Sequence, residues 1–267
     1  MTGQNQSEPK NEVEIETSGL LTCPHGFSTR IGGVSEGIWE SLNLGMNRGD
    51  QADCVTENWR RFLCRCGIFE DRIVWGKQVH GTAVPVVTRA DAHSIADHEP
   101  QWEADGYVTK DTGVPLVVFT ADCVPVLLED NVHGVIGAVH SGWRGTVKDI
   151  VGVAVEKMLT LGAQLTDIRV AIGPAIDDCC FEVGSEVVTA VTALLGSEAE
   201  LFYRKRGEKY LLNLRGVIER RLLQMGISSE HINKVGDCTM CHPSRYFSHR
   251  YTKGERGSLA AVIMQKG

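Results

Sequence analysis

Val117-Val118-Phe119-Thr120-Ala121-Asp122-Cys123 and Val135-Ile136-Gly137-Ala138-Val139-His140 are two apolar stretches, each ending in a residue that can do chemistry. They belong to dense apolar runs, Pro115–Leu128 and Val132–Val139, that read as central strands with both faces covered. A third strand-like segment ends in Trp75-Gly76-Lys77-Gln78-Val79-His80-Gly81. One thiol and two imidazoles are thus delivered by three separate segments. His80, Cys123 and His140 suit a borderline-soft metal with a fourth position left open for substrate or water. They equally suit a Cys-His nucleophilic pair with a helper, or two ordinary histidines and a buried cysteine.

Around these runs, Asp53–Cys66 is expected to be a helix capped by Asp53, with Val55, Trp59, Phe62, Leu63 and Cys66 on one face. Arg72–Val79 and Thr82–Val87 read as strands broken at His80-Gly81, and residues 88–103 as a surface loop. Ala104–Thr109, Asp167–Ile172, His231–Gly236 and Leu259–Met264 are further expected strands. Thr146–Leu161, Glu186–Leu195 and Leu212–Met225 are expected helices. Strands and helices do not alternate regularly, so the fold class is α+β rather than a βαβ series. No linker-like stretch divides the 267 residues, which points to one domain over 19–267. Residues 1–18 are polar and acidic and read as a flexible leader.

The net charge of -7 comes without a basic stripe, which argues against nucleic acid. No apolar run approaches 18 residues, so no membrane span is expected. The nine cysteines are an odd number in a chain without an export signal, favouring reduced thiols and a cytoplasmic setting.

Other residues carry competing readings. Ser141-Gly142-Trp143-Arg144-Gly145-Thr146 is a Gly-rich turn feeding a helix beside His140, an arrangement able to hold an anion. Asp105 is an acid/base candidate, an orienting partner for a ligand, or a turn-forming Asp-Gly. Asp122 is expected on a strand, pointing away from Cys123 and at most orienting a ligand. Arg250 clamps a phosphate or carboxylate, or makes a surface ion pair. Cys238-Thr239-Met240-Cys241 has a C-x-x-C core, but without a second such pair a structural role is preferred. Cys179-Cys180 reads as core packing, adjacent cysteines being awkward joint chelators. His25, His93, His98, His133 and His231 receive no role.

Read in order, Gly26-Phe27-Ser28-Thr29-Arg30, Gly32-Gly33-Val34-Ser35, Ser41-Leu42-Asn43-Leu44-Gly45, Lys77-Gln78-Val79-His80-Gly81, Ala104-Asp105-Gly106, Thr120-Ala121-Asp122-Cys123-Val124-Pro125-Val126, Ala138–Thr146, Ile172-Gly173-Pro174 and Tyr246-Phe247-Ser248-His249-Arg250 resemble the YfiH/YlmD-like laccase-domain family, long labelled polyphenol oxidases. The resemblance runs from about residue 20 to the C-terminus. It implies a sandwich of mixed β-sheets flanked by helices, with zinc at His80, Cys123 and His140. It further implies phosphorolysis of adenosine, inosine, guanosine and methylthioadenosine, and deamination of adenosine. Older descriptions of the family give copper-dependent phenol oxidation, and some bacterial members are linked to peptidoglycan precursor editing. The implied partners are purine nucleosides and phosphate.

Cys123, His140 and Asp105 are then the catalytic candidates, and Asn43, Gln78, Ser141, Arg144 and Arg250 the substrate-binding ones. The chain departs from the family pattern at Gly254-Glu255-Arg256-Gly257-Ser258, where Thr-Gly-Arg is usual, at Tyr251, where a second Arg is usual, and at Trp39. A conventional laccase needs several coppers, which one His-Cys-His trio cannot hold, although a single copper competes well at such ligands. Zinc nucleobase deaminases pair their ligands with a proton-shuttling Glu. No H-x-E stands here, so that task would fall to Asp105 or another residue. A metal-free Cys-His hydrolase is the remaining enzymatic alternative.

Overall fold

The run from Pro115 to Leu128 is two strands, and the break between them creates the site. A computed structural model describes residues 12–100 and 102–267. In chain order the elements are β1 (Ile15–Glu16), β2 (His25–Ser28), α1 (Ala52–Arg65), β3 (Arg72–Ile73), β4 (His93–Ser94), β5 (Gly106–Thr109), β6 (Leu116–Thr120), β7 (Val124–Asp130), β8 (Val135–Ser141), α2 (Trp143–Val147) and α3 (Ile150–Thr160). There follow β9 (Arg169–Ile172), β10 (Glu182–Val183), α4 (Ser185–Leu195), β11 (Tyr203–Arg206), β12 (Lys209–Leu212), α5 (Leu214–Gln224), β13 (Ile232–Lys234), α6 (His249–Thr252) and β14 (Leu259–Ile263).

One sheet has the order β1-β2-β14-β6 and a second the order β13-β9-β7-β8-β5. The second is mixed, since β13 runs parallel to β9 while the other pairs are antiparallel. The two sheets pack face to face. Phe27, Leu116, Val118, Ala261 and Ile263 of the first meet Leu127, Ile136, Ala138 and Ala171 of the second in one buried cluster. Because successive strand residues point to opposite faces, Val126, Leu128, Val139 and Val170 point the other way. There they pack on Ile150, Ala154 and Met158 of α3, Val187 and Val191 of α4, and Val217 and Ile218 of α5. On the opposite side Val117, Ala260 and Val262 pack on Val55, Trp59, Phe62 and Leu63 of α1. The result is an α+β sandwich of four layers in a single domain. Strands covered on both faces have no polar alternation, which is why they read as continuous apolar runs. Each large side chain so buried contributes about 1.5–3 kcal/mol.

Local chemistry sets the ends of the elements. Asp53 lies in the first turn of α1, where its charge suits the helix dipole, while Gln51 holds the cap position. The expected single helix from Thr146 to Leu161 is instead α2 and α3. Asp149 between them is left-handed (φ 63°), and its carboxylate accepts the Gly152 N–H and pairs with Arg221. Only Arg72–Ile73 of the expected strand to Val79 is regular. The rest runs irregularly, joined by single bridges such as Val74–Leu116 and Val86–Val108. Within the expected loop 88–103, Ala92, His93 and Ile95 are buried. The expected leader needs correction over 12–18. Ile15–Glu16 pairs with β2, and Ser18 is buried with its N–H donated to His25 Nε2 (2.9 Å), so these residues belong to the domain. Residues 1–11 lie outside the described residues. Among the described residues no helix is long and apolar enough to cross a membrane.

Candidate metal centre

Cys123 stands where the chain leaves one sheet for the other. Between β6 and β7, Asp122 turns the backbone with φ 89°, which ends the strand and aims the next side chain away from the core. The turn is held from the C-terminal region. Asp122 Oδ1 accepts the Thr239 hydroxyl (2.6 Å), and Oδ2 accepts the Arg250 backbone N–H (2.7 Å). Contrary to the expectation from the sequence, Asp122 is not a strand residue. It positions Cys123 through the main chain.

His140 comes from the end of β8, opposite Pro125 of β7, on the face that carries Ile136 and Ala138. Its backbone N–H donates to the Asp105 carbonyl at 2.7 Å. Its Nδ1 donates to Asp105 Oδ1 at 2.8 Å, which leaves Nε2 free to face Cys123 and His80. His80 is held in the left-handed region at φ 59°. The same carboxylate fixes that turn, with Oδ1 accepting the His80 N–H (2.9 Å) and Oδ2 the N–H groups of Val79 (3.1 Å) and Gly81 (2.8 Å). One fully buried carboxylate thus sets the backbone of one histidine and the ring of the other. Burial pushes the Asp105 carboxyl up, but the hydrogen bond from His140 and those from the backbone outweigh it and hold the group below its usual value.

The donor atoms of His80, Cys123 and His140 lie within 4.8 Å of one another, and Cys123 Sγ is 3.8 Å from His80 Nε2. With Zn–N about 2.0–2.1 Å and Zn–S about 2.3 Å, the ligands of one tetrahedral ion stand about 3.4–3.6 Å apart. The two imidazoles meet nearly at right angles (83°) with ring centroids 4.9 Å apart. His140 is buried whereas His80 is exposed, so the trio opens on the His80 side. Burial pushes the Cys123 thiol up, but the charge and hydrogen bond of His140, and then those of His80, bring it down to about 6. Burial pushes His140 down, but Cys123 and Asp105 outweigh it and raise the imidazole to about 9. A thiolate between two imidazoles is the donor set that zinc or copper prefers.

Gly142 completes the cradle. A Cβ there would stand 2.7 Å from His80 Cδ2 and 3.1 Å from Cys123 Sγ. Gly142→Ala is accordingly expected to displace His80 and weaken metal binding by about tenfold or more, comparable to losing an outer partner of a ligand. Competition with a chromogenic chelator measures this, and unchanged affinity would show that the cradle tolerates the methyl.

The trio forms part of the wall of a cavity of about 820 Å³. Trp75, Phe119, Trp143 and Phe181 give it aromatic surface, and Arg48, Lys77, Arg144, Arg250 and Arg256 give it positive charge. Arg144 lies over the Trp143 ring at 4.4 Å and makes no hydrogen bond or ion pair among the described residues. Arg250 donates to the Glu182 carbonyl (3.2 and 3.3 Å) and sits 5.8 Å above Phe181, so it is not in a surface ion pair. Arg256 hydrogen-bonds Ser258 Oγ (2.9 Å), while its buried Nε has no partner among the described residues.

The remaining candidates are engaged in hydrogen bonds within the fold. Gln78 lines the cavity, but its amide is stapled to the backbone of Phe119, accepting its N–H (2.6 Å) and donating to its carbonyl (2.8 Å). Asn43 is fully buried off the cavity wall and accepts the N–H groups of Gly45 and Ser258. Ser141 is also buried off the wall, its hydroxyl 2.7 Å from that of Thr146. Asp105 likewise stands behind His140 rather than on the wall, its carboxylate bonded to the His140 ring. Arg48 carries no reading from the sequence, and Arg256 enters it only within a departure from the family pattern. Both sit in Gly-containing turns, one soon after Ser41–Gly45 and one in Gly254–Ser258, and only tertiary packing brings them together.

The cysteine readings also change in part. Cys180 is half-buried against the core, but Cys179 and Cys241 are exposed, so core packing does not account for those two. Among the described residues no cysteine is in a disulfide.

Comparison with known proteins agrees with this architecture. The family model described as multi-copper polyphenol oxidoreductase laccase matches residues 24–266. The chain is 36% identical over 244 residues to purine nucleoside phosphorylase YlmD of Geobacillus stearothermophilus, covering 89% of this chain and 88% of that one. It is 37% identical over 243 residues to a purine nucleoside phosphorylase of Deinococcus radiodurans, covering 91% and 89%. The crystal structure of the Geobacillus YlmD superimposes with a TM-score of 0.87 at 32% identity, over 96% of this chain and all (100%) of that one. From one end of the sandwich to the other, the chain belongs to the multi-copper polyphenol oxidoreductase laccase family, the YfiH/YlmD-like laccase-domain proteins.

Proposed function

We propose that the chain is a zinc-dependent purine nucleoside enzyme whose main reaction is phosphorolysis, with adenosine, inosine, guanosine and methylthioadenosine as the substrate class. The observation that carries this reading is the make-up of one cavity. A soft three-donor trio, aromatic faces and guanidinium groups without carboxylate partners share the same wall. Purine bases stack on aromatic rings, and phosphate is held by guanidinium groups. The relatives named purine nucleoside phosphorylase support the same assignment.

His80, Cys123 and His140 would hold the ion, which when bound supplies Lewis acidity beside the substrate. Asp105 keeps His140 in the tautomer that presents Nε2. Arg144, Arg250 and Arg256 offset the charge of a phosphate whose oxygen attacks the ribose C1′ as the bond to the base breaks. Adenosine deamination additionally needs a carboxylate to shuttle protons. The carboxylates on the wall are Asp122, whose oxygens are already engaged, and the exposed Glu99. Phosphorolysis therefore suits this lining better than deamination. Phenol oxidation by a multicopper centre is disfavoured by the histidines. Among the described residues, His25, His93, His98 and His231 join no group of potential ligands.

Incubation of zinc-loaded protein with mixed nucleosides, with and without phosphate, followed by mass spectrometry, tests the proposal. Ribose phosphate is expected only when phosphate is present. No nucleoside consumed by metal-loaded protein would overturn it.

The linear order Cys123–His140–Asp105 favours one second reading, a metal-free thiolate nucleophile with an oriented imidazole. Rapid iodoacetamide labelling of active, chelator-treated protein would select that reading over the first.

A further inference from the structure

We propose that Cys179, Cys180, Cys238 and Cys241 form a second metal site, which binds one zinc ion as a tetrathiolate and pins together the two loops that back the first centre. The four sulfurs lie within 4.8 Å of one another. Cys241 Sγ is 3.4 Å from both Cys179 Sγ and Cys180 Sγ. A disulfide needs about 2.05 Å, so neither pair is bonded. With Zn–S about 2.3 Å, the edge of an S4 tetrahedron is about 3.8 Å, which falls inside the observed spread. An iron–sulfur cluster hands its thiolates to separate irons, and four sulfurs this close surround one ion instead. Tetrahedral S4 ligation selects zinc, or a single iron, among common metals.

The fold brings the pairs together. β13 lies parallel to β9, and the pairing continues past both strands as a bridge between Ala175 and Cys238. Thr239 N–H donates to the Ala175 carbonyl at 3.0 Å. The loop after β9 and the loop after β13 thus leave the same end of the sheet side by side. Cys238 Sγ already accepts the Asp177 N–H at 3.4 Å, the kind of backbone support that holds a thiolate ligand in place. Arg215 pairs with Asp177 and Arg204 donates to the Asp178 carbonyl (3.3 Å), bringing two cations toward a centre that would carry net negative charge.

The site has a structural consequence for the first one. Thr239, between the two cysteines of the C-x-x-C turn, donates to Asp122, whose backbone turn aims Cys123. Ile176 and Phe181, on the loop that carries Cys179 and Cys180, line the cavity. An ion clamping these loops would fix part of the wall.

Zinc content of the full chain, purified in reductant without chelator and loaded with zinc, tests the proposal. Two equivalents per chain are expected for the wild type, and one each for Cys123→Ala and Cys241→Ser. Because Cys241→Ser could fail to fold, the Cys123→Ala chain, with the four thiols of the second site intact, is also loaded with Co(II). It is expected to show the thiolate-to-cobalt charge-transfer and visible bands of a tetrahedral S4 site. One equivalent in the wild type and none in Cys123→Ala would overturn the second site while leaving the first intact. One equivalent retained by Cys123→Ala but lost in Cys241→Ser, with only one in the wild type, would support the second site and overturn the first. A disulfide from Cys241 to Cys179 or Cys180 that persists under these reducing conditions, found by peptide mapping, would also overturn the tetrathiolate.

Discussion

Asp105→Asn is expected to lower zinc affinity at the His80–Cys123–His140 centre by about 10–100-fold, the range for losing an outer partner of a metal ligand. The reason lies in how completely the carboxylate is used. Oδ1 accepts from His140 Nδ1 and the His80 backbone, and Oδ2 from the backbones of Val79 and Gly81. Asparagine has one acceptor oxygen. Whichever way the amide faces, its NH2 meets two N–H groups. Either the histidine pair or the Val79–Gly81 turn loses its acceptor, and each buried orphan costs about 1–3 kcal/mol. The melting temperature therefore falls as well. Zinc affinity measured far below that temperature separates loss of positioning from loss of fold. An affinity equal to that of the wild type would show that Asp105 only packs.

Cys123→Ala is expected to abolish zinc retention at this centre and nucleoside turnover together, with turnover falling by at least about 10³-fold. Two imidazoles without the thiolate leave the ion two protein ligands, short of the three that catalytic zinc sites use. The change removes a single sulfur at the cavity wall, so its effect on stability should stay near about 1 kcal/mol. Metal content and turnover are measured on the same preparation. Full activity in protein that lacks this zinc would end the metal reading and leave the thiolate reading to answer for Asp105 and His140 alone, which it could not do without Cys123.

Much of the sandwich was legible because its central strands are apolar on both faces. Val124–Leu128 and Val135–Val139 announce themselves that way, and each flanks a residue of the trio. The break at Asp122 was not legible. The apolar run continues through Ala121, and only a left-handed aspartate, held by Thr239 and Arg250 from the far end of the chain, turns it. Asn43 is expected from the sequence to meet substrate, and a polar side chain in a Gly-rich loop gives no sign that the nearby Gly45 N–H and the distant Ser258 N–H will both donate to it. The meeting of Arg48 with Arg256 was not legible for the opposite reason, since their shared cavity exists only after β14 has returned to the sheet beside β6. The four-cysteine cluster depends on the parallel pairing of β9 with β13, a non-local choice that neither Cys179-Cys180 nor the C-x-x-C turn encodes alone.

In the proposed mechanism His80, Cys123 and His140 share one ion in the active protein. Anomalous diffraction at the zinc edge, from crystals of the zinc-loaded full chain that turns over nucleosides, tests it most directly. The expected result is a peak about 2.0–2.3 Å from His80 Nε2, Cys123 Sγ and His140 Nε2. An active preparation with no peak between those three atoms would contradict it.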